Sequence, residues 1–475
     1  MLDFTPVRDR RNGITLVEQI VDAYVAGIES QTLRAGMSVP SVRDFARQYD
    51  VSTFTVASAY GRLVAQGWLE SRRGAGYRVA TPTRVTAQQA LLSWQPPQMG
   101  AGWLLSDIYA DHSIPTKAGC GWLPPEWVNE SALHQALRQQ ARVPGPQVAG
   151  YGHPCGYMAL REQVAADLAS QGMQVEPSQV LLTQGATQAL DLVTRTLLQP
   201  GDTVVVEQPC YTNLLQMLRL AGMRIVPVPR IADGLDMTAF EAAAAAHAPR
   251  AVFVNTVLHN PTGTSLSMAN AFRLLQIAER YGMWVIEDDI SRPLLQGVAP
   301  LLAALDGGNR VIHIGGYAKS ISPSLRVGYA VAQHDLTRDL SRTKMAVGLT
   351  SPQIMERVVC HVIRDGQFRG YLERVRERLA GAHARVERRM SDLGMEIYAR
   401  PGAGLFLWAR PEGEQISANR LAEQALQDGI WLAPGSYFDA DERDAPWLRF
   451  NVAYSEADAL WRFLESASRH ASLAA

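Results

Sequence analysis

Residues Gly315 to Gly328 read GGYAKSISPSLRVG, and the rest of the chain is organised around this stretch. The apolar run Val311-Ile312-His313-Ile314 before it predicts a buried strand that ends in a Gly-Gly turn. Lys319 follows, then a rigid Ser-Pro pair, then Arg326 seven residues after the lysine. An amine at the end of a buried strand is what Schiff-base chemistry needs, because desolvation and nearby cations lower a lysine pKa towards neutrality. A planar guanidinium beside it could hold a phosphate. Taken alone, a lysine in a Gly/Ser-rich loop is more often a solvated surface group, so its meaning depends on its company.

Three segments supply that company, each at the end of a predicted strand in an α/β pattern. Leu181 to Gln188, LLTQGATQ, passes from strand to helix through a glycine, so Thr183, Gly185, Ala186 and Thr187 could offer a phosphate the free N–H groups of a helix N-terminus. His259-Asn260-Pro261-Thr262-Gly263 is a rigid turn after Ala251 to Val257, and its amide can donate to a phenolate oxygen. Val285 to Asp289, VIEDD, ends another strand with a carboxylate able to pair with a protonated ring nitrogen. Such a partner is what a pyridine cofactor requires as an electron sink.

In this order the four segments resemble fold type I aminotransferases that use pyridoxal 5'-phosphate (PLP), over residues 105 to 475. The resemblance implies that Lys319 carries the cofactor as an aldimine, Asp288 pairs with the pyridine nitrogen and Asn260 bonds the 3-hydroxyl. It also implies that Arg326 and the turn Gly185, Ala186 and Thr187 hold the phosphate, and that Tyr211, in Glu-Gln-Pro-Cys-Tyr, stacks on the ring. Arg449, in Trp-Leu-Arg-Phe-Asn, would bind a substrate carboxylate.

The composition fits an ordinary soluble protein. A chain of 475 residues with 47% hydrophobic and 19% charged residues can bury a large core and predicts two to four domains. A net charge of −1 gives no global pull towards nucleic acid or membrane. Cys120, Cys155, Cys210 and Cys360 show no paired or metal-ligand spacing, so a reduced compartment and no metal site are expected. The first residues lack the apolar core of a signal peptide and no run is long enough to span a bilayer, which predicts a cytoplasmic protein.

The N-terminal end differs from the average. Leu16, Ile20, Ala23, Tyr24 and Ile28 recur at helical spacing, Ser41 is placed to cap a second short helix through about Gln48, and Ser52 to cap a third. Gly67 stops the third helix, and Trp68 to Val79 reads as a hairpin whose tip carries Arg72 and Arg73. Periodicity alone leaves open a small helical cap with an exposed hairpin. The segments VPSVRDFA, VSTFTVASAY and LVAQGWLESRRGAG, however, resemble the winged helix-turn-helix of GntR-type repressors across residues 10 to 80. The resemblance implies that Arg43 and the helix from Ser52 to Tyr60 face duplex DNA, with Arg72 and Arg73 gripping phosphate or minor groove. Cationic residues to about position 85 are all arginine and exceed the acids by about three, consistent with phosphate contacts. The family often has a basic residue just after the first serine of the third helix, whereas Thr53 and Phe54 stand here. Base readout is therefore expected from Thr53, Thr55 and Ser58.

The expected organisation is a DNA-binding domain over 1–80, a linker over 81–104 and an aminotransferase-like body over 105–475. The linker, of about 24 residues, would span on the order of 25 to 30 Å if flexible. Within the body, a mostly parallel α/β large part covers about 150–335 and a smaller α+β part about 350–475. Met355 to Met395 predicts one long helical stretch, and Glu396 to Arg410, Ile430 to Pro434 and Trp447 to Val452 predict strands. Ala118 to Pro124 and Tyr151 to Tyr157 look like the opening segments of an aminotransferase body, the first bordering the substrate carboxylate; either is equally simple turn chemistry.

Head, linker and body together resemble the MocR family of PLP-dependent bacterial transcription regulators. That resemblance implies a homodimer that binds DNA and senses an amine, an amino acid or PLP itself through Lys319. Two other readings stay open: an active aminotransferase with an appended DNA-binding domain, and a repressor whose body is only a dimerisation scaffold. Two departures weigh against efficient turnover. Ser291 stands where such enzymes commonly place a tyrosine three residues after the aspartate, and Gly316 where a phosphate-binding serine is expected.

Overall fold

The structure is a computed structural model and describes residues 4–7, 15–30, 32–72, 76–80, 113–145, 149–411 and 417–474. The expected linker and Arg73 lie outside the described residues, and of Arg72 only the backbone is described. The chain divides into two compact units, Met1–Gln95 and Pro96–Ala475.

In the first unit three helices, α1 (Leu16–Glu29), α2 (Val42–Gln48) and α3 (Thr53–Ala65), are followed by the antiparallel pair β1 (Leu69–Arg72) and β2 (Gly76–Val79). Each helix starts where a side chain can take an unpaired N–H. Thr15 and Glu18 form a reciprocal capping box, and the Ser41 and Ser52 hydroxyls accept from Asp44 and Thr55. Ile20, Tyr24, Phe45, Val56, Ala59, Tyr60, Leu63 and Leu69 close one apolar core. Inside it the Tyr24 and Tyr60 hydroxyls pair at 2.7 Å, and Tyr60 donates to the Pro40 carbonyl at 3.0 Å. The three helices and the hairpin form a winged helix-turn-helix.

The second unit is built on an eight-stranded sheet of β3 (Val180–Thr183), β4 (Thr203–Gln208), β5 (Arg224–Ile231), β6 (Gly234–Leu235), β7 (Ala251–Asn255), β8 (Trp284–Asp288), β9 (Val311–Gly316) and β10 (Gly328–Val331). Its order is β3-β10-β9-β8-β7-β4-β5-β6; β4, β5, β7, β8 and β9 are mutually parallel, while β10 runs antiparallel to both its neighbours. Val204, Val205 and Val206 are all buried, as in a strand covered on both faces. Register aligns Asn255 with Asp288 and Asp288 with Ile314, so β7 and β8 end together and β9 runs two residues further. In a parallel sheet that carboxyl edge is where ligands bind.

A smaller antiparallel sheet has the order β11 (Glu396–Ile397), β12 (Phe406–Arg410), β14 (Leu448–Asn451), β13 (Ala433–Pro434). The stretch from Met355 to Met395 is not one helix: Gln353–Arg364 and Phe368–Asp392 are separate, with Gly366 between them at φ +71°. A residue in that conformation ends a helix, and glycine adopts it without a Cβ clash. All four cysteines are free, and Cys120, Cys210 and Cys360 are packed as small buried groups. Among the described residues no helix is long and apolar enough to cross a membrane.

Candidate functional site

Lys319 lies just beyond β9, half-buried, with its Nζ donating to the Gly121 carbonyl. Burial lowers its pKa to about 8, and the Arg449 guanidinium adds to that effect. A Cβ on Gly121 would stand 3.8 Å from Lys319 Nζ and 3.9 Å from Arg449 Nη2. The amine and the guanidinium thus lie close to one point beside the bare Gly121 backbone.

Arg449, on β14 of the small sheet, is 7% exposed and lies over the rings of Phe406 and Phe438, 4.7 and 4.8 Å from their centroids. It donates to the Gly119 carbonyl at 2.5 Å and to Asn260 Oδ1 at 2.7 Å. With the Asn260 carbonyl oxygen so engaged, the other half of that amide is a donor. The Asn260 N–H in turn bonds Asn255 Oδ1 at 2.9 Å, and Asn255 Nδ2 donates to the Asp288 carbonyl at 2.7 Å. Asn255 therefore ties the Asn260 turn to the strand that carries Asp288. Burial pushes the Asp288 carboxyl up to about 6, opposed by the Ile290 N–H at 3.3 Å and by Lys319. A half-buried carboxylate held by one backbone N–H suits a site that receives a cation.

Beneath these residues is a network that the sequence reading did not find. Glu207 and Arg230, 3% and 4% exposed, form a buried ion pair. Glu207 also accepts the Asn255 N–H at 2.7 Å, and His259 Nε2 lies 3.4 Å from its carboxylate. Arg230 completes its donors on Thr264 and the Asn255 carbonyl. Burial and Arg230 hold His259 well below its usual pKa, so it is a neutral spacer beneath the Asn260 turn. Glu207 begins the Glu-Gln-Pro-Cys-Tyr stretch and His259 the His-Asn-Pro-Thr-Gly turn, but neither residue type reveals a charge partner in the sequence.

The turn at Gly185 opens the helix Ala186–Leu197. Gly185 has φ +82°, and a Cβ there would meet Arg326 Nη2 at 2.7 Å; Arg326 also donates to the Gln184 carbonyl at 3.4 Å. Gly328 crosses beneath, where a Cβ would lie 2.6 Å from the Ala186 nitrogen. Both glycines let Arg326 lie against the turn that carries the Ala186 and Thr187 N–H groups, while the Gly185 N–H already donates to the Thr183 carbonyl at 2.9 Å. Tyr211, joined to Asn213 at 3.0 Å, lines a small cavity together with Asp288, Asn255 and His259. The predicted body residues thus gather at the carboxyl edge of the sheet. Gly119 and Gly121, within the Ala118 to Pro124 segment expected beside a substrate carboxylate, join that set through their carbonyls, and Asn255 is an addition to it.

On the head, Arg43 and Thr53 are exposed, Thr55 and Ser58 half-buried, and Ser52 exposed at the start of α3. The Ser52 hydroxyl is already bonded to Thr55, at 2.7 Å from its hydroxyl and 3.0 Å from its N–H.

Comparison with known proteins follows this division. Residues 16–79 match the model of the gntR family of bacterial regulatory proteins, and residues 124–466 that of class I and II aminotransferases. A probable rhizopine catabolism regulatory protein, MocR, of Rhizobium meliloti is 30% identical over 441 residues, covering 88% of this chain and 89% of its own length. This chain belongs to the MocR family. Like other MocR-type regulators it joins a GntR helix-turn-helix to a fold type I aminotransferase body. The 2-aminoadipate transaminase of Thermus thermophilus, 33% identical, covers 70% of the chain and 84% of that enzyme. The solved structure of LysN, an alpha-aminoadipate aminotransferase of Thermus thermophilus complexed with N-(5'-phosphopyridoxyl)-L-leucine, superposes with a TM-score of 0.71 at 29% identity, over 79% of this chain and 98% of that one.

This MocR-type body departs from the enzyme pattern at two points. Ser291 is buried at the start of the short turn Arg292–Leu294, and Gly316 ends β9 with a Cβ position 3.4 Å from Gly328 and Val327. A cavity of about 1130 Å³ lined by Asp289, His313 and Ser320 lies across the sheet from Asp288, because successive strand residues point to opposite faces. Glu287, Asp289 and His313 approach one another there with ligand atoms within 4.8 Å. They already satisfy one another and the fold: Glu287 accepts from Leu302 and Ala303 at 2.8 and 3.1 Å, and Asp289 pairs with Arg292.

Proposed function

We propose that this MocR-family regulator holds PLP on Lys319 and that an amine, an amino acid or PLP itself, acting at this site, changes how the head holds duplex DNA. The observation that carries the proposal is the convergence of Lys319, with its pKa lowered to about 8, and Arg449 on one point beside Gly121. The donor set fits the cofactor: an amine, a half-buried carboxylate, an amide donor and a turn of backbone N–H groups beside a guanidinium. Bound there, PLP would supply an aldehyde that reacts with amines and a ring that withdraws electrons.

The roles proposed are those that the resemblance to fold type I aminotransferases implies. Lys319 holds the aldehyde carbon, Asp288 pairs with the ring nitrogen, and the Asn260 amide donates to the 3-hydroxyl. Arg326 and the turn Gly185, Ala186 and Thr187 hold the phosphate, and Tyr211 covers the ring. Arg449 binds a ligand carboxylate, for which its guanidinium has the right planar fork. Arg43, Thr53, Thr55, Ser58 and the wing residues Arg72 and Arg73 engage DNA, with Ser52 fixing the helix start. A homodimer, and the division into head, linker and body at 1–80, 81–104 and 105–475, belong to the same proposal.

The test is the absorbance spectrum of the full chain before and after PLP, followed by a panel of amines and amino acids. A band should appear with PLP and be absent in Lys319→Ala; an unchanged spectrum in that variant would sink the assignment. Arg449→Ala should lose the spectral response to α-amino acids and keep that to amines without a carboxylate. The similarity to the 2-aminoadipate transaminase favours a second reading, an active aminotransferase, which keto-acid release over many cycles would establish.

A further inference from the structure

Phe54 is the second residue of α3 and is 81% exposed. It is no part of the head's core, which takes Val56, Ala59, Tyr60 and Leu63 from the opposite side of the same helix. One and two turns further along its own face stand Ala57 and Gly61, both exposed. Glycine inside a helix is destabilising relative to alanine. Among the described residues nothing requires it here, since a Cβ at Gly61 would meet no atom of theirs within 4 Å. The helix therefore presents an uncharged face, one aromatic ring followed by two small residues, that can lie close against something outside the head. Exposed Arg43, Arg47 and Arg62 on α2 and α3 make that surroundings cationic.

Duplex DNA is the occupant this combination fits. The N-terminal turn of the second helix of a helix-turn-helix meets base edges in the major groove, while arginines around it meet phosphates. The apolar group that base pairs expose in the major groove is the thymine 5-methyl, and an aromatic side chain is among those that read it. On the reading of the head as a DNA-binding domain, we infer that Phe54 is a specificity-determining residue that recognises a thymine methyl, with Ala57 and Gly61 letting α3 approach closely enough for the contact. This residue takes a position in base readout that Thr53, Thr55 and Ser58 do not fill, because none of them offers a large apolar surface.

Duplexes selected from a random-sequence library by the full chain provide the probe. Their affinities are then measured by fluorescence anisotropy with each thymine replaced in turn by deoxyuridine, which removes only the methyl group. At one or more positions the native chain should lose about fourfold in affinity per engaged head, the value of one buried methyl. Phe54→Ala should bind thymine and deoxyuridine duplexes equally at that position, and Phe54→Leu should keep part of the difference. Equal affinities for the native chain at every thymine, or an undiminished difference in Phe54→Ala, would overturn the inference. So would an unchanged base preference accompanied by an altered sedimentation coefficient in Phe54→Ala, which would assign the face to a second copy of the chain. Failure of the native chain to enrich any sequence would instead overturn the DNA-binding reading on which the inference rests.

Discussion

At the scale of single residues, Lys319 and Arg449 are two cations that the fold holds on one space, with nitrogens 3.8 and 3.9 Å from the same point beside Gly121. Burial and this neighbour lower the Lys319 pKa from 10.5 to about 8. A group that binds its proton less tightly when folded destabilises the fold wherever both states are protonated, which here means below pH 8. The penalty fades as pH rises from 8 towards 10.5, where the folded state alone has released its proton. Lys319→Met in the cofactor-free protein is therefore expected to raise Tm at pH 7 by a few degrees, with the margin shrinking above pH 8; a lower Tm at pH 7 would contradict the linkage. The lowered pKa does not by itself identify the site, because buried Lys344 also falls to about 8 while donating to the Pro154 and Leu182 carbonyls at 2.9 and 2.8 Å. What sets Lys319 apart is its surroundings, and those were only partly legible in the sequence. Asn260, Asp288 and Arg326 stand in motifs. The Gly119 and Gly121 carbonyls act through backbone atoms, which every residue has, and Asn255 acts through a register that only strand pairing reveals.

At the scale of elements, the parts with strong local signals were readable: three helices, two of them with their caps, and a hairpin in the head, and the buried apolar strands of the large sheet. The bounds of elements made by pairing were not: the strands expected over Glu396 to Arg410 and Ile430 to Pro434 do contain β11, β12 and β13, but pairing keeps only two residues each in β11 and β13, and no periodicity can show such bounds. The joint at Gly366 was hidden because the charges on both sides continue the same helical pattern. Nor could spacing predict that α3 is fastened to the start of α2 through Tyr60, whose hydroxyl bridges Pro40 and Tyr24 inside the core. Removing it leaves the Tyr24 hydroxyl and the Pro40 carbonyl short of a partner, which costs about 1–3 kcal/mol when such groups are buried. Tyr60→Phe should accordingly destabilise the head by an amount in that range and weaken DNA binding through a loosened α3. The PLP-dependent absorbance of the body should stay as in the native chain. Urea unfolding followed by far-ultraviolet circular dichroism, alongside the absorbance titration, checks both parts; an unchanged unfolding curve would show that the hydroxyl bridge contributes nothing.

At the scale of the whole molecule, the two compact units carry two separate chemistries, and a regulator requires that one be felt by the other. A ligand alters the head only if it binds one arrangement of the chain more tightly than another, and a ligand with equal affinity for both changes nothing. The coupling must also run in both directions: whatever factor the ligand imposes on DNA affinity, DNA imposes on ligand affinity, commonly about 5–150-fold. PLP titrations of the full chain with and without a saturating selected duplex, followed by DNA titrations with and without saturating PLP, should give the same factor in both experiments. If an amine is the signal, that factor is near one for PLP alone and departs from one when the amine is added. A head that binds DNA identically under every ligand condition, while the body still develops its absorption band, would leave two sound sites with no connection and would exclude sensing as the role of Lys319.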